Sequence, residues 1–398
     1  MAGLAKGRKL KIALSTGGGD APGLNAVIRA ATKTAWCLGW EVWGIQEGFE
    51  GLIDPRRKLV RIDTEDIRGI LTQGGTILGT ANRGNPFKHQ VQTAKGAKEV
   101  DLSATVVRNF KKLGFDALIV IGGEGTLGLA YQLVKKGIPI VGVPKTIDND
   151  LPGTDITFGF DTAVSVATEA IGRLHSTAQS HRRCFVVELM GRYAGWITLN
   201  AGVSGGADVI LIPEIPFDID AVCDKVLDRE RRKKHFSIVV AAEGAQPKGG
   251  ARVLKEGATT DHVERLGGIA EWVAKEIDKR TGKETRSLVL GHLQRGGTPT
   301  TFDRLLATRL GSAAVRCVAR GQFGRMVALK TPKIVSVPLT QAIKRLKTVP
   351  LDHDTITSAR SMGISFGDRL CASGKGGTFA RRQAAVPAAL RQGVGSRG

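Results

Sequence analysis

Aromatic side chains are scarce in this chain, at 5% of 398 residues with two tyrosines. Proteins that grip single-stranded nucleic acid interleave aromatic platforms with positive charge, so the shortage counts against that class despite a formal charge of +21. Acid is short too, with 37 Asp and Glu against 58 Lys and Arg. The basic excess gathers at the amino end (Lys6, Arg8, Lys9, Lys11), at 231–234, and after Asp368, where six basic residues meet no acid. Runs of this kind are usually solvated faces or arms. Segment 369–398, rich in glycine, alanine and arginine, is expected to be a disordered basic tail. A phosphorylated small molecule is the better acidic partner, and no nucleic acid is expected.

Cysteine is also sparse: Cys37, Cys184, Cys223, Cys317 and Cys371 are odd in number, scattered and never in a Cys-x-x-Cys pair. That excludes a structural zinc site of the usual spacing and fits a reducing, cytoplasmic location. Long apolar runs are missing. The stretch behind the basic amino end is too short for a signal-peptide core, and nothing later approaches a membrane span, so no membrane partner is expected.

Glycine, by contrast, is abundant, with 52 residues. In an enzyme, glycine supplies tight loops and lets backbone approach a ligand closely. At 398 residues the chain exceeds one ordinary core, and two domains are the default. Its informative stretch is 143–155, where an apolar run over 138–143 reads as a buried strand and gives way to Lys145-Thr146-Ile147-Asp148-Asn149-Asp150. A strand ending in proline, hydroxyl and acids reads as a site at the carboxyl edge of a parallel sheet, where open α/β proteins bind ligands. Asp148 and Asp150 would share a face if extended, and serve different partners if looped. Carboxylates beside Lys145 suit proton abstraction near phosphate and metal.

Three more loops have related layouts. The pattern predicts a strand over 10–14, a loop from Ser15 to Asn25 with Gly17, Gly18 and Gly19, then a helix, which aims backbone N–H groups at a phosphate. After a strand over 41–45, the loop 73–85 holds Arg83 among glycines; an arginine there is either a bidentate phosphate contact or a solvated side chain. A strand over 117–121 ends in Gly122-Gly123-Glu124-Gly125-Thr126, whose carboxylate suits magnesium as well as phosphate. In the second half, a helix is predicted over 162–174, and strands over 184–188, 209–212, 236–242 and 287–290. Their polar ends imply a second α/β layer facing the first. Arg183, Arg192, Arg286, His292 and Arg295 fall at these strand ends, where together they could form a cationic pocket. His292 alone would also pass as a satisfied structural histidine.

With these residues assembled, the chain closely resembles the bacterial 6-phosphofructokinases over about residues 11–368. The glycine loop through Asn25, the Thr146 to Asp150 core, Met190-Gly191-Arg192 and the segment 291–297 carry the resemblance. It implies an α/β fold of two Rossmann-like three-layer domains with mostly parallel sheets and the active site in the cleft between them. Residues 1–159 with 294–344 would form the phosphoryl-donor domain, and 160–293 with 345–368 the fructose 6-phosphate domain. It also implies Asp148 as the base for the sugar's 1-hydroxyl, with Thr146 and Asp150 placing magnesium and the phosphoryl group. Arg192 would neutralise charge in the transition state. Glu243, Met190 and His292, beside Gly191, would hold the sugar; Arg183, Arg286 and Arg295 would bind the 6-phosphate. Arg183 and Arg286 would reach in from a neighbouring subunit of a homo-oligomer, typically a tetramer. Gly19, Arg83, Gly122, Gly123, Glu124, Gly125, Thr126 and Lys145 would line the donor site, with Glu124 at the Mg2+ ion.

This chain departs from the family pattern in several places. Glu124 replaces a common aspartate, and Arg83 sits one residue late, with Asn82 in its aligned place. His175 and Asp208 stand where effector-binding Arg and Glu are expected, although Arg29 and Lys33 fit, so the usual ADP activation is not expected. Pyrophosphate-using relatives carry an aspartate at the position of Gly125, which crowds out the nucleotide's α-phosphate, and a lysine at that of Lys145. The two indicators conflict here. Gly125 weighs more, because a missing side chain admits nucleotide directly, and ATP is the expected donor. The rivals are the pyrophosphate-dependent reaction, a kinase of the NAD or diacylglycerol type, which would not need the arginine set, and a non-catalytic sugar-phosphate sensor, which would not need a base.

Overall fold

The computed structural model describes residues 9–56, 58–81, 84–93, 96–250, 254–256 and 265–369. Arg83, Asn82 and nearly all of the basic tail expected at 369–398 lie outside the described residues. The strands are β1 Lys11–Thr16, β2 Glu41–Ile45, β3 Leu59–Ile62, β4 His89–Thr93, β5 Gly96–Val100, β6 Ala117–Gly122, β7 Ile140–Pro144, β8 Cys184–Leu189, β9 Val209–Leu211, β10 Ser237–Ala242, β11 Leu254–Glu256, β12 Arg265–Leu266, β13 Thr285–Val289, β14 Arg325–Lys330 and β15 Lys333–Pro338.

Seven strands form one sheet in the order β15-β14-β7-β6-β1-β2-β3, and four form a second in the order β13-β8-β10-β9. The first is parallel from β14 to β2, with antiparallel strands at its edges; the second is parallel throughout. β6 and β7 are buried at every residue, which is why they read as unbroken apolar runs instead of alternating ones.

Alternation governs which face each residue serves. Ile12, Leu14, Ile119 and Ile121 pack under helices Leu24–Cys37 and Thr301–Ala319. Their neighbours Ala13, Leu118 and Val120 pack on the opposite face against helices Ser103–Lys112 and Glu124–Lys135. Between the first two helices the backbones come so close that a β-carbon on Gly311 would sit 2.5 Å from the Val27 carbonyl oxygen. The second sheet is likewise covered twice: Val187, Leu189 and Val240 face helices Phe160–His181 and Trp196–Ser204, while Val186 and Val239 face Ile219–Arg231 and Ile269–Thr281. Two three-layer units result, as expected.

The sequence pattern anticipates the core strands to within two residues. It misses β14 and β15, which extend the first sheet after a long excursion through the second, the edge strand β3, and the pairs β4–β5 and β11–β12. It also stops the helix at 174; Ala178 is buried and carries the inner face on to His181. Among the described residues no helix is long and apolar enough to cross a membrane, and the cysteines there are free.

Candidate active site

β1 lies between β6 and β2, so the chain runs outward from β1 in both directions and leaves a crevice at the carboxyl ends of β1 and β6. Neighbouring β1, β6 and β7 each end in a loop noted above, and the three loops meet side by side. Gly17 N–H donates to the Ile121 carbonyl at 3.0 Å and Lys145 N–H to the Gly122 carbonyl at 3.0 Å. A cavity of about 430 Å3 opens over them, lined among others by Gly17, Gly18, Gly19, Phe49, Gly123, Gly125, Thr126, Lys145, Thr146 and Arg295. Thr126 explains part of the glycine content: a β-carbon on Gly17 would lie 2.7 Å from its methyl. Gly125 differs, because a β-carbon there meets nothing within 4 Å.

Residues 145–159 cross from the first sheet to the second. Ile147 is buried in the apolar cluster of the second unit, which pins the loop across the cleft. Asn149 adopts a left-handed backbone at φ 51, so the chain turns between Asp148 and Asp150 and they do not share an extended face. Asn149 Oδ1 accepts from Thr157 N–H at 3.1 Å and Asp148 N–H donates to Thr146 Oγ1 at 3.1 Å. Asp148 Oδ1 is buried without a hydrogen-bond partner.

Burial raises the Asp148 carboxyl to about 7, helped by the charges of Asp150 and Glu243 and opposed by Arg295 and Lys145. Asp150 is raised as well, again by burial. Lys145 is 4% exposed and its ammonium donates to the Gly19 carbonyl. Burial, then the positive charge of Arg295, lowers it to about 8 against the pull of Asp20, Asp148 and Asp150. A carboxyl and an ammonium displaced toward each other in one cleft are a common signature of an acid–base site.

Across the cleft, Met190, Glu243 and His292 follow the carboxyl ends of β8, β10 and β13. Gly191 takes φ 142 and its carbonyl accepts from Gly244 N–H at 3.1 Å. This interlock presents Arg192, whose guanidinium lies 5.7 Å from the Tyr193 ring centre. Burial raises Glu243, with Arg192 opposing. Gln294, fully buried, accepts from Met190 N–H at 3.3 Å and donates to the Gly291 carbonyl at 3.1 Å. It ties the arginine loop to the segment bearing His292, a role the sequence reading did not assign.

The five cations expected at strand ends do not meet in one pocket within a single chain. Arg183 precedes β8, and Arg286 is paired with Phe185 near the starts of β13 and β8. Both therefore sit at the amino edge of the second sheet. Strands of five and six residues, as β13 and β8 are, span about 17–20 Å, so these arginines cannot converge with Met190, Glu243 and His292 of the same chain. They flank Glu284 instead, at 2.8 and 2.6 Å. Arg295 lies against the first glycine loop, donating to the Asp20 carbonyl at 2.9 Å, and a β-carbon on Gly19 would come within 2.5 Å of its Nη1. Glu124 is exposed in the first turn of helix Glu124–Lys135. Among the described residues no three His, Cys, Asp or Glu side chains group as a metal cage. Magnesium that arrives with a polyphosphate asks for less, since it keeps waters and takes one or two carboxylates beside phosphate oxygens; Glu124 fits that demand.

The family model for phosphofructokinase matches residues 11–318. An ATP-dependent 6-phosphofructokinase of Chloroflexus aurantiacus is 53% identical over 364 residues, covering 91% of this chain and 99% of that protein. A pyrophosphate–fructose 6-phosphate 1-phosphotransferase of Streptomyces coelicolor is 53% identical over 344 residues, covering 85% of this chain and 96% of that protein. Among solved structures, Pichia pastoris phosphofructokinase in the T-state superposes with a TM-score of 0.72 at 32% identity, covering 89% of this chain and 37% of that longer one. Sequence, sheet order and cleft agree, and the chain belongs to the phosphofructokinase family.

Proposed function

We propose that this protein is an ATP-dependent 6-phosphofructokinase that phosphorylates the 1-hydroxyl of fructose 6-phosphate, with Asp148 as the general base. The observation that carries the reading is the buried, unpartnered Oδ1 of Asp148, on a carboxyl raised to about 7, beside the glycine-lined cavity. The 1-hydroxyl oxygen attacks the γ-phosphorus, its proton passes to Asp148, and the bond to ADP breaks with the electron pair leaving on ADP. Negative charge spreads over the phosphoryl oxygens. Arg192 from the second unit and the backbone N–H groups of Gly19, Gly123 and Gly125 from the first answer it. Thr146 and Asp150 orient the donor end, while Met190, Glu243 and His292 hold the sugar. Mg2+, held by Glu124 and the donor's oxygens, supplies neutralising charge when bound. Residues 1–159 with 294–344 act as donor unit and 160–293 with 345–368 as sugar unit. The join of β14 and β15 to the first sheet supports this division.

Arg183 and Arg286, about one strand length from the cleft, serve the 6-phosphate of an adjoining copy, which makes the enzyme a homo-oligomer. Pyrophosphate as donor is favoured by Lys145, buried in the donor cavity, and by the name of the Streptomyces relative; the open space at Gly125 favours ATP. Assaying the protein with fructose 6-phosphate and magnesium against each donor in turn tests the choice. Turnover with ATP at least about tenfold above that with pyrophosphate is expected, and activity with pyrophosphate alone would reverse it.

The base also sets the pH profile. Since Asp148 must be ionised, kcat/KM for fructose 6-phosphate should fall about tenfold per unit below a limb near its carboxyl value of about 7. Lys145 favours the ionised form, so Lys145→Met should move that limb to higher pH. A limb left in place would remove Lys145 from the electrostatics of the base.

A further inference from the structure

The segment behind β15 holds a lysine that the proposed mechanism does not use. Lys347 Nζ lies 3.0 Å from Asn149 Oδ1, 3.2 Å from the Thr154 carbonyl and 2.8 Å from the Asp155 carbonyl. An ammonium has three donors, and here each has an acceptor on one loop. The acceptors come from both ends of the turn that follows Asp148, so the ammonium closes the loop across its neck. Its main chain acts too: Lys347 N–H donates to the Asp150 carbonyl at 2.7 Å. The Lys347 carbonyl accepts from Trp196 Nε1 at 2.8 Å. Trp196 opens the helix just behind the Arg192 loop. Two residues on, Val349 N–H donates to Glu214 Oε1 at 2.8 Å, and Glu214 also accepts from Gly195 N–H at 3.0 Å.

We propose that Lys347 is a positioning residue for the reaction: its side chain fixes the turn between Asp148 and Asp150, and its backbone couples that turn to the loop bearing Arg192. Asn149 is the point of action. A left-handed non-glycine residue is held in a sparsely populated conformation and persists where its surroundings over-determine it. Here Thr157 and Lys347 both hold its side chain. Releasing one of them lets the base drift, and a drift of about 1 Å in a reacting group costs on the order of 10²-fold in rate. The sugar's other contacts are untouched, so the loss belongs in kcat.

This inference rests on the proposed reaction, and a double-mutant cycle on the intact protein tests it separately. Lys347→Met should lower kcat about 10–100-fold with the KM for fructose 6-phosphate within threefold. Asn149→Gly, which tolerates the left-handed turn but offers no acceptor, should lower kcat about tenfold or more. The double variant should lose clearly less than the product of the two single losses, since the Lys347–Asn149 contact is common to both. Losses that multiply, or a Lys347→Met enzyme within twofold of wild-type kcat, would overturn the proposal. If Lys347→Met does not fold, Asn149→Gly decides alone, and wild-type kcat in it rejects the idea. Failure of the base itself reads differently: Asp148→Asn would keep turnover whatever the cycle shows.

Discussion

Asp148→Asn is expected to lower kcat about 10²–10⁴-fold, the usual worth of a positioned base, while fructose 6-phosphate affinity stays within threefold. Asparagine keeps the shape and one acceptor but cannot take the hydroxyl proton, so the loss falls on the transition state and not on ground-state binding. Steady-state kinetics beside calorimetric binding would separate the two, and a variant with wild-type turnover would eliminate Asp148 as base. A second readout has the opposite sign. The folded-state carboxyl stands at about 7 against an ordinary 3.8, chiefly through burial. The fold therefore favours the protonated form, and this group's contribution to stability is present below about pH 4 and lost as pH rises toward 7. At pH 8 the asparagine variant should melt above the wild type, and the gap should close near pH 4. The site sacrifices stability for function, as active sites commonly do.

Gly125→Asp should lower kcat/KM for ATP about 10²–10³-fold while affecting pyrophosphate much less. Folding should survive, because the new β-carbon meets nothing within 4 Å and an acid in the first turn of helix Glu124–Lys135 complements the helix dipole. What changes is the cavity. A carboxylate about 4 Å from a nucleotide phosphate near the protein surface opposes it by about 4 kcal/mol at an effective dielectric near 20. Pyrophosphate has no α-phosphate or nucleoside to place there. Competition assays with both donors would show the crossover, and ATP kinetics within threefold of wild type would mean that the nucleotide does not pass Gly125.

Most of the cleft's parts were legible in the chain. The apolar runs of β1, β6 and β7 are buried on both faces, so their composition alone marks them as central parallel strands, and the glycine and acid loops at their ends follow from that. Asp148, Glu124 and Gly125 could be singled out because chemistry-bearing residues at the carboxyl ends of buried strands have few other uses. β14 and β15 were not legible, since a strand that rejoins its sheet after some 180 residues leaves no local mark of its destination.

Spacing also misjudged the cations. Arg183 and Arg286 look like strand-end ligands in one dimension, yet a parallel sheet has two edges, and direction of entry puts them at the far one. Lys347 was invisible, one lysine in a basic chain, because its meaning lies wholly in three acceptors some 190 residues earlier. The sequence by itself determined the strand cores, the loop chemistry and the family, because those depend on local composition and short-range spacing. Tertiary structure alone decided which charges share a cleft, which way the turn between the two aspartates goes and what holds it there, because burial and long-range hydrogen bonds are properties of the assembled fold.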